Sequence, residues 1–177
     1  MFAYLINVQV RLNDRSSESI VEALILITTP FLLLNNFKSM INYECYTDGA
    51  YSSARNQGGV GVVFLRNGEK VAEYSKGFKY TTNNRMEIGA ALAVLKCFKN
   101  PVDNITIYTD SMYVIGCATL GWKRKKNVAL WRLFDVEFER VSKLCKNITF
   151  QHVKGHADIY WNEYVDKLAV AASQELL

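Results

Sequence analysis

The sequence predicts a mixed α/β domain in which helices cover the faces of one five-stranded sheet. Five short segments are apolar or alternate between apolar and polar residues, as strands do, and longer segments with a helical period lie between them. Their order, β-β-β-α-β-α-α-β-α, is typical of a mixed sheet with helices on its faces. A chain of 177 residues, half of them hydrophobic and only two of them proline, can bury such a core.

The first three predicted strands follow one another without a helix. The segment "YECYTD" (43–48) is rich in aromatic residues, "VGVVFL" (60–65) is almost entirely apolar, and "EKVAEYSKGF" (69–78) alternates. Between the first two, "SSARNQGG" (52–59) consists of turn-forming residues and predicts a polar loop. The segment "RNG" (66–68) predicts a hairpin turn, in which glycine supplies the positive φ.

The second half of the chain alternates helices with strands. The segment "TTNNRMEIGAALAVLKCFKN" (81–100) predicts a helix that is capped near Asn83 or Asn84 and ends before Pro101. The remaining elements are a strand (105–110), helical segments from Ser111 and over 128–145, a strand (148–153), a loop (154–160) and a final helix.

Residues 1–39 differ in character and are predicted to be an appendage to a domain formed by 40–177. The apolar stretch 19–37 is interrupted by Glu22 and Pro30, so it is shorter than the ~20 residues that span a bilayer. Acidic residues ahead of it disfavour a secretory or transit signal. Three interpretations stay open: an added helix, a weakly membrane-associating segment, or a leader outside the functional domain. An over-extended start is a further interpretation of the appendage. We expect no membrane partner for the domain itself.

The net charge of +4 comes from residues 43–177, because the charges of 1–42 cancel. Its densest part is "WKRKKN" (122–127), which is either a solvated face or a surface for a phosphate backbone. The cysteines have no CxxC spacing, and we expect reduced thiols, buried at Cys45, Cys97 and Cys145. This usage favours a cytoplasmic protein, and we expect a monomer.

Two nearly identical segments place an aspartate at the end of a predicted strand. Asp48 lies in "YTDGAY" (46–51) and Asp110 in "YTDSMY" (108–113). They are not an internal repeat, because a hairpin follows the first and a helix follows the second. Ligand sites form beyond the carboxyl ends of parallel strands, so Asp48 and Asp110 would lie side by side if the first and fourth strands are parallel neighbours. The alternative is that each aspartate only begins a turn.

A glutamate on the inner face of the first helix favours the shared site. Glu87 has the helical spacing of the apolar positions 91, 94, 95 and 98. A buried carboxylate without a partner costs several kcal/mol, so Glu87 needs a cation. The candidates are Arg85, which belongs to another face, and a metal ion shared with other carboxylates. Asp166 in the last helix is a fourth candidate, although a surface aspartate near a helix start is common.

Converging carboxylates of this kind suit a hard divalent cation. Mg²⁺ prefers oxygen ligands and keeps waters that can contact phosphate oxygens. Two such ions about 3.5–4 Å apart can activate water and stabilise the leaving oxygen in phosphodiester cleavage.

Four motifs, in order and with fitting spacing from about Met40 onward, resemble ribonuclease H of the type 1 class. They are "YTDGAY", "TTNNRMEIGAAL", "YTDSMYVIG" and "HVKGHADIYWNEYVDKLA". The resemblance implies the RNase H-like fold and an endonuclease that cuts the RNA strand of RNA–DNA hybrids. It implies 5′-phosphate and 3′-hydroxyl ends, and two Mg²⁺ ions, or Mn²⁺, as cofactors.

The resemblance also implies roles for individual residues. The family's metal-binding carboxylates fall on Asp48, Glu87, Asp110 and Asp166, and its loop histidine, which aids product release or moves a proton, falls on His156. His152, by contrast, is expected to pack within its strand. Substrate contacts are implied for Thr82, Asn83 and Asn84, and an amide can read the 2′-OH that distinguishes RNA from DNA. Asn162 and Ser111 match positions near the family's site, and the resemblance assigns Asn162 to substrate binding. The alternatives are that Asn162 is a helix cap and that Ser111 is a turn residue.

Two departures from the family affect substrate binding. The loop 52–59 is less rich in glycine and proline than in many relatives, which changes its fine contacts. The family's basic protrusion is shortened to "GWKRKKNVALW" (121–131), a reduced handle that keeps a tryptophan and four cations: Trp122, Lys123, Arg124, Lys125 and Lys126. We expect weaker hybrid binding with the chemistry intact. The competing hypotheses are a binding module without catalysis and another nuclease on the same fold.

Overall fold

One mixed five-stranded sheet organises residues 40–155 and 159–176, which are the residues that this computed structural model describes. The sheet has the order β3-β2-β1-β4-β5. Its strands are β1 (Asn42–Ser52), β2 (Gln57–Arg66), β3 (Glu69–Lys79), β4 (Val102–Thr109) and β5 (Cys145–His152). The helices are α1 (Asn83–Cys97), α2 (Met112–Thr119), α3 (Val128–Ser142) and α4 (Tyr160–Gln174). The predicted fold class and element order are confirmed, and the predicted appendage 1–39 lies outside the described residues.

The strand pairing brings the first and fourth strands together as parallel neighbours. Strands β1, β2 and β3 form an antiparallel meander, whereas β4 is parallel to both β1 and β5. In the parallel β1–β4 pair, Tyr46 is opposite Tyr108, and their rings stack with centroids 4.5 Å apart. The two Tyr-Thr-Asp segments are therefore neighbours in register, as the shared-site interpretation requires.

The core lies on both faces of the sheet. On one face, α1 buries its apolar side against β1 and β2, and α3 packs beside it. Ile88, Leu95, Val62, Ile107 and Trp131 are fully buried there. On the opposite face, α4 packs through Val165 onto Val63 and Leu65. A Cβ on Gly61 would collide with the Val165 carbonyl oxygen, so a glycine is needed for this close approach. No helix among residues 40–155 and 159–176 is long and apolar enough to cross a membrane.

Arg140 of α3 closes the carboxyl end of α1. Its guanidinium donates hydrogen bonds to the carbonyl oxygens of Leu95 (2.8 Å) and Phe98 (2.7 Å). These carbonyls have no partner within the helix, so Arg140 satisfies them and ties α3 to α1. The contact fixes the helix that carries Glu87.

Several local predictions are wrong. Half of the predicted loop 52–59 is strand, because β1 and β2 pair as far as Ser52 and Gln57, and only 53–56 remain as the turn. Helix α1 is capped by Thr82 rather than by Asn83 or Asn84. Cys97 is exposed at the end of α1. His152 lies in β5 as expected, but this strand is at the edge of the sheet and its side chain is exposed.

Candidate active site

Asp48 and Asp110 meet where the parallel pairing of β1 and β4 ends. The last paired residues are Tyr46 and Tyr108, and each aspartate follows its tyrosine by two residues. Asp110 comes directly after β4, as predicted. The prediction that Asp48 ends its strand is wrong, because β1 continues along β2 with Asp48 opposite Gly61. Asp48 is thus held by an antiparallel strand on one side and is open toward Asp110 on the other.

A close approach between β1 and α1 brings Glu87 to the same place. A Cβ on Gly49 would lie 2.5 Å from the Met86 carbonyl carbon and would also collide with the Glu87 nitrogen. Only a residue without a side chain lets the strand pass this near the first turns of the helix. Gly49 therefore sets the separation between Asp48 and Glu87. The sequence did not predict this role, because an Asp-Gly dipeptide is typical of a turn.

Three carboxylates converge at this point. Asp48, Glu87 and Asp110 each offer an oxygen, and these oxygens lie within 4.8 Å of one another. Glu87 faces inward as its helical spacing predicted, and only 9% of its surface is exposed. None of the ion pairs formed between described residues includes these carboxylates. The alternative that the aspartates only begin turns does not account for this cluster.

The hydrogen bonds of the cluster leave one buried oxygen without a partner. Asp48 Oδ1 accepts a bond from the Gly49 N–H (2.7 Å), and Glu87 Oε1 accepts a long one from Asn83 Nδ2 (3.4 Å). Glu87 Oε2 is buried and has no hydrogen-bond donor among the described residues. A buried carboxylate oxygen in this state is costly, so a cation or a hydrogen-bond donor at this atom would stabilise the site.

Burial and mutual repulsion raise the pKa of two of these carboxyls. The pKa of Asp48 rises to about 7, first because the group is desolvated and then because of the Asp110 charge, and the Gly49 N–H opposes the rise. The pKa of Glu87 rises to about 8, again mainly through desolvation and then through Asp48 and Asp110, opposed by Asn83. The cluster therefore resists ionisation at neutral pH unless a cation neutralises it.

The donor set fits a hard divalent cation. Among the described residues it consists of carboxylate oxygens alone, close together, and one of them is buried without a partner there. Mg²⁺ takes such ligands, and a softer metal would call for histidine or cysteine, which the described part of the cluster does not contain. Asp48, Glu87 and Asp110 are the residues that would hold the ion.

Asp166 joins the cluster from the other face of the sheet. It lies on α4, and its carboxyl makes a hydrogen-bonding contact with Asp48 that contributes to the raised pKa of Asp48. All four predicted carboxylates are therefore brought to one place. Their roles as ligands stay predictions.

The loop after β5 reaches the cluster as well. Gly155 approaches so closely that a Cβ there would lie 2.9 Å from Asp110 Oδ2. His156, the predicted loop histidine, lies outside the described residues. The sequence reasoning missed Gly155, although the glycine beside the predicted histidine was a signal for a close approach.

The predicted substrate-binding residues of α1 stand at its amino end beside Glu87. Thr82, Asn83 and Asn84 are exposed. Thr82 Oγ1 accepts a hydrogen bond from the Arg85 N–H (3.4 Å), and Asn83 reaches Glu87. Asn162, by contrast, is buried in the first turn of α4 and is not its cap. Ser111 caps α2 by accepting a bond from the Val114 N–H (3.3 Å).

The reduced handle presents its cations unequally. The side chains of Trp122, Lys123, Lys125 and Lys126 are exposed. Arg124 instead turns inward: its guanidinium binds both carboxylate oxygens of Asp135 (2.6 and 2.7 Å) and the Cys117 carbonyl oxygen, and lies 4.3 Å from the Trp131 ring centre. Substrate contact by Arg124 stays a prediction, and the geometry shows that Arg124 also holds the handle to α2 and α3.

Comparison with known proteins agrees with this architecture. Residues 41–174 match the RNase H family. A ribonuclease H of Desulforamulus reducens is 42% identical over 139 residues, which cover 73% of this chain and 86% of that protein. RNase H1 from the halophilic archaeon Halobacterium salinarum NRC-1 has 26% identity and a TM-score of 0.58, covering 76% of this chain and 98% of that chain. LC11-RNase H1, solved in complex with an RNA/DNA hybrid, has 22% identity, a TM-score of 0.61 and the same coverage. The chain belongs to the ribonuclease H family of enzymes, as its four motifs predicted.

Proposed function

We propose that this enzyme hydrolyses the RNA strand of RNA–DNA hybrids at the cluster of Asp48, Glu87, Asp110 and Asp166, with two Mg²⁺ or Mn²⁺ ions and with 5′-phosphate and 3′-hydroxyl products. The observation that carries the proposal is the buried oxygen of Glu87 that has no partner in the described part of the chain and lies beside two aspartates. A catalytic ribonuclease H needs cations at such a site, whereas a module that only binds the hybrid does not.

The protein's own residues determine when the site can be used. Bound divalent ions would activate the attacking water and stabilise the departing 3′ oxygen. Because burial holds the pKa of Asp48 near 7 and that of Glu87 near 8, both carboxyls must lose their protons as the ions bind. Asn83 steadies one oxygen of Glu87 and leaves the other free. His156 is expected to aid product release or to move a proton.

Substrate selection is assigned to the amino end of α1 and to the handle. The amides of Asn83 and Asn84 can donate to and accept from a 2′-OH, which only the RNA strand carries. The exposed lysines Lys123, Lys125 and Lys126 can neutralise phosphates without reading sequence. The expected cytoplasmic location and monomeric state stay predictions.

The test is cleavage of a hybrid whose RNA and DNA strands carry different labels. With Mg²⁺ we expect cuts in the RNA strand only, and slower or no cleavage of duplex DNA and duplex RNA. Asp48→Asn and Asp110→Asn should each lower the rate by ~10²-fold or more. Glu139→Gln is the matched control, because this glutamate is exposed on α3 and forms its ion pair with Lys143.

Three results would contradict the proposal in different ways. Hybrid binding without turnover would indicate a binding module. Preferential cleavage of duplex DNA or RNA would indicate another nuclease. Undiminished cleavage by Asp48→Asn would show that the chemistry occurs elsewhere.

A further inference from the structure

Four residues other than glycine have a positive φ in the described part of the chain, and one of them is of an unexpected type. Asn56 (49°), Asn67 (51°) and Asn127 (56°) are asparagines, the residue that tolerates this left-handed conformation best after glycine. The fourth is Tyr80, with φ of 56°. A bulky residue is strained there, so the chain keeps a tyrosine where an asparagine would fit more easily.

The Tyr80 ring is largely exposed in the described part of the structure. Its side chain is 80% exposed, and it makes no ring contact with another aromatic residue in the described ranges. The conformation is instead held by the backbone, because the Tyr80 N–H donates to the Asn56 carbonyl oxygen (2.8 Å). Any residue other than proline could make that bond, so it does not explain the tyrosine.

Tyr80 lies next to the amino end of α1 in the sequence. Tyr80 precedes the helix cap Thr82 by two residues, and Glu87 lies five residues beyond that cap. Lys79 and Arg85, on either side in sequence, are exposed and form no ion pair with a described residue. An exposed ring flanked by free cations is a surface suited to nucleic acid, in which the ring packs on a nucleotide and the cations neutralise phosphates.

We infer that Tyr80 is a substrate-contacting residue whose ring packs against a nucleotide sugar in the minor groove of the hybrid. The inference rests on the proposed function. The minor groove of an A-like helix is wide and shallow and displays its sugars, so a protruding ring can reach them without opening the base pairs. Backbone strain at an exposed residue is consistent with this, because strain is retained where a side chain must be presented for function.

The test compares three substitutions of Tyr80 by thermal denaturation and by hybrid binding. Phenylalanine keeps the ring, leucine keeps apolar bulk without the ring, and asparagine removes the ring and suits the left-handed backbone. Binding of a fluorescent RNA–DNA hybrid is measured by anisotropy with Mg²⁺ in an Asp48→Asn background, which keeps the substrate intact. Steady-state KM and kcat are measured in the otherwise unchanged enzyme.

We expect Tyr80→Phe to bind within about twofold of the parent, and Tyr80→Leu and Tyr80→Asn to bind about three- to tenfold more weakly, with a corresponding rise in KM and little change in kcat. The Tm of Tyr80→Asn should equal or exceed that of the parent. Unchanged binding by Tyr80→Asn, or a Tm several degrees lower, would overturn the inference and leave the proposed function standing. Failure of the parent enzyme to bind or cleave the hybrid would overturn both.

Discussion

Replacing Glu87 by glutamine should stabilise the metal-free protein while it abolishes activity. Glutamine has nearly the same shape and cannot ionise, and its amide can donate a hydrogen bond to Asp48 or Asp110. The wild-type glutamate, in contrast, is buried beside two other carboxylates, with one oxygen unpartnered among the described residues. The substitution therefore removes an unfavourable charge from the folded state and removes the ligand at the same time.

The magnitude follows from the two pKa values of Glu87. Its pKa is about 8 in the folded chain, against an ordinary value of 4.5. At pH 7 the Glu87 carboxyl has lost its proton in the unfolded state and keeps it in the folded state. Between pH 4.5 and pH 7 this difference lowers the free energy of unfolding by about 1.36 kcal/mol per pH unit, or about 3 kcal/mol in all. Relaxation and solvent near the site reduce the expected gain to about 1–3 kcal/mol, or roughly 2–12 °C in Tm for a chain of this size.

The sign of the pH dependence is fixed by the raised pKa. Below pH 4.5 the glutamate is protonated in both states, so the wild type and Glu87→Gln should differ least there. The advantage of the variant should grow as the pH rises from 4.5 to 8 and level off above 8, because both states are then ionised. Thermal denaturation in the presence of a chelator, at intervals across this range, measures the difference directly.

Added Mg²⁺ provides the second half of the test. It should raise the Tm of the wild type, because it binds the folded site, and should raise that of Glu87→Gln much less. Glu139→Gln, at an exposed ion pair, is the control and should follow the wild type throughout. A metal-free Glu87→Gln protein that is less stable than the wild type at pH 8, or a difference that does not vary with pH, would refute the reasoning.

Four further substitutions distinguish residues of the site from residues that only support it. Gly49→Ala should lower the free energy of unfolding by about 1–3 kcal/mol, because the new methyl group pushes β1 away from Met86. The same shift should weaken Mg²⁺ binding, which calorimetry measures. Unchanged Mg²⁺ affinity would contradict this. Arg140→Met should lower the free energy of unfolding by about 2–4 kcal/mol in urea titrations, because it leaves two carbonyl groups at the carboxyl end of α1 without their donor. The kcat of the folded enzyme should not change. A fall in kcat without a loss of stability would count against the capping role. In the handle, Lys125→Ala should leave the Tm unchanged and reduce the salt dependence of hybrid binding by about one phosphate contact, whereas Arg124→Met should lower the Tm. The opposite pattern would mean that Arg124 serves the substrate alone.

The sequence predicted the parts of this site that depend on local periodicity. The helical spacing of Glu87 with apolar residues predicted its burial, and the strand pattern placed Asp110 at the end of its strand, whereas Asp48 lies within β1. The prediction that Asp48 and Asp110 lie side by side also required the first and fourth strands to be parallel neighbours, and the β1–β4 register confirms this pairing.

The features that the sequence did not predict depend on contacts between distant segments. Gly49 and Gly58 resemble turn residues, yet they lie within the paired strands β1 and β2, and Met86 of α1 packs against both. Arg124 lies in a basic run that favours solvent, yet its guanidinium is bound by Asp135 on the next helix. The positive φ of Tyr80 is imposed by a bond to Asn56. In each case the contacting residue lies in another segment of the chain, so the pattern of a single segment cannot predict the contact.

The most direct test of the account is the position of bound metal. Crystals of the enzyme soaked in Mn²⁺ can be examined by anomalous diffraction, which locates the ion without assumptions about the protein. We predict Mn²⁺ held by carboxylate oxygens of Asp48, Glu87 and Asp110, with a second ion about 3.5–4 Å away when the hybrid is present. Absence of Mn²⁺ between these three residues, at concentrations that support cleavage, would contradict the central claim.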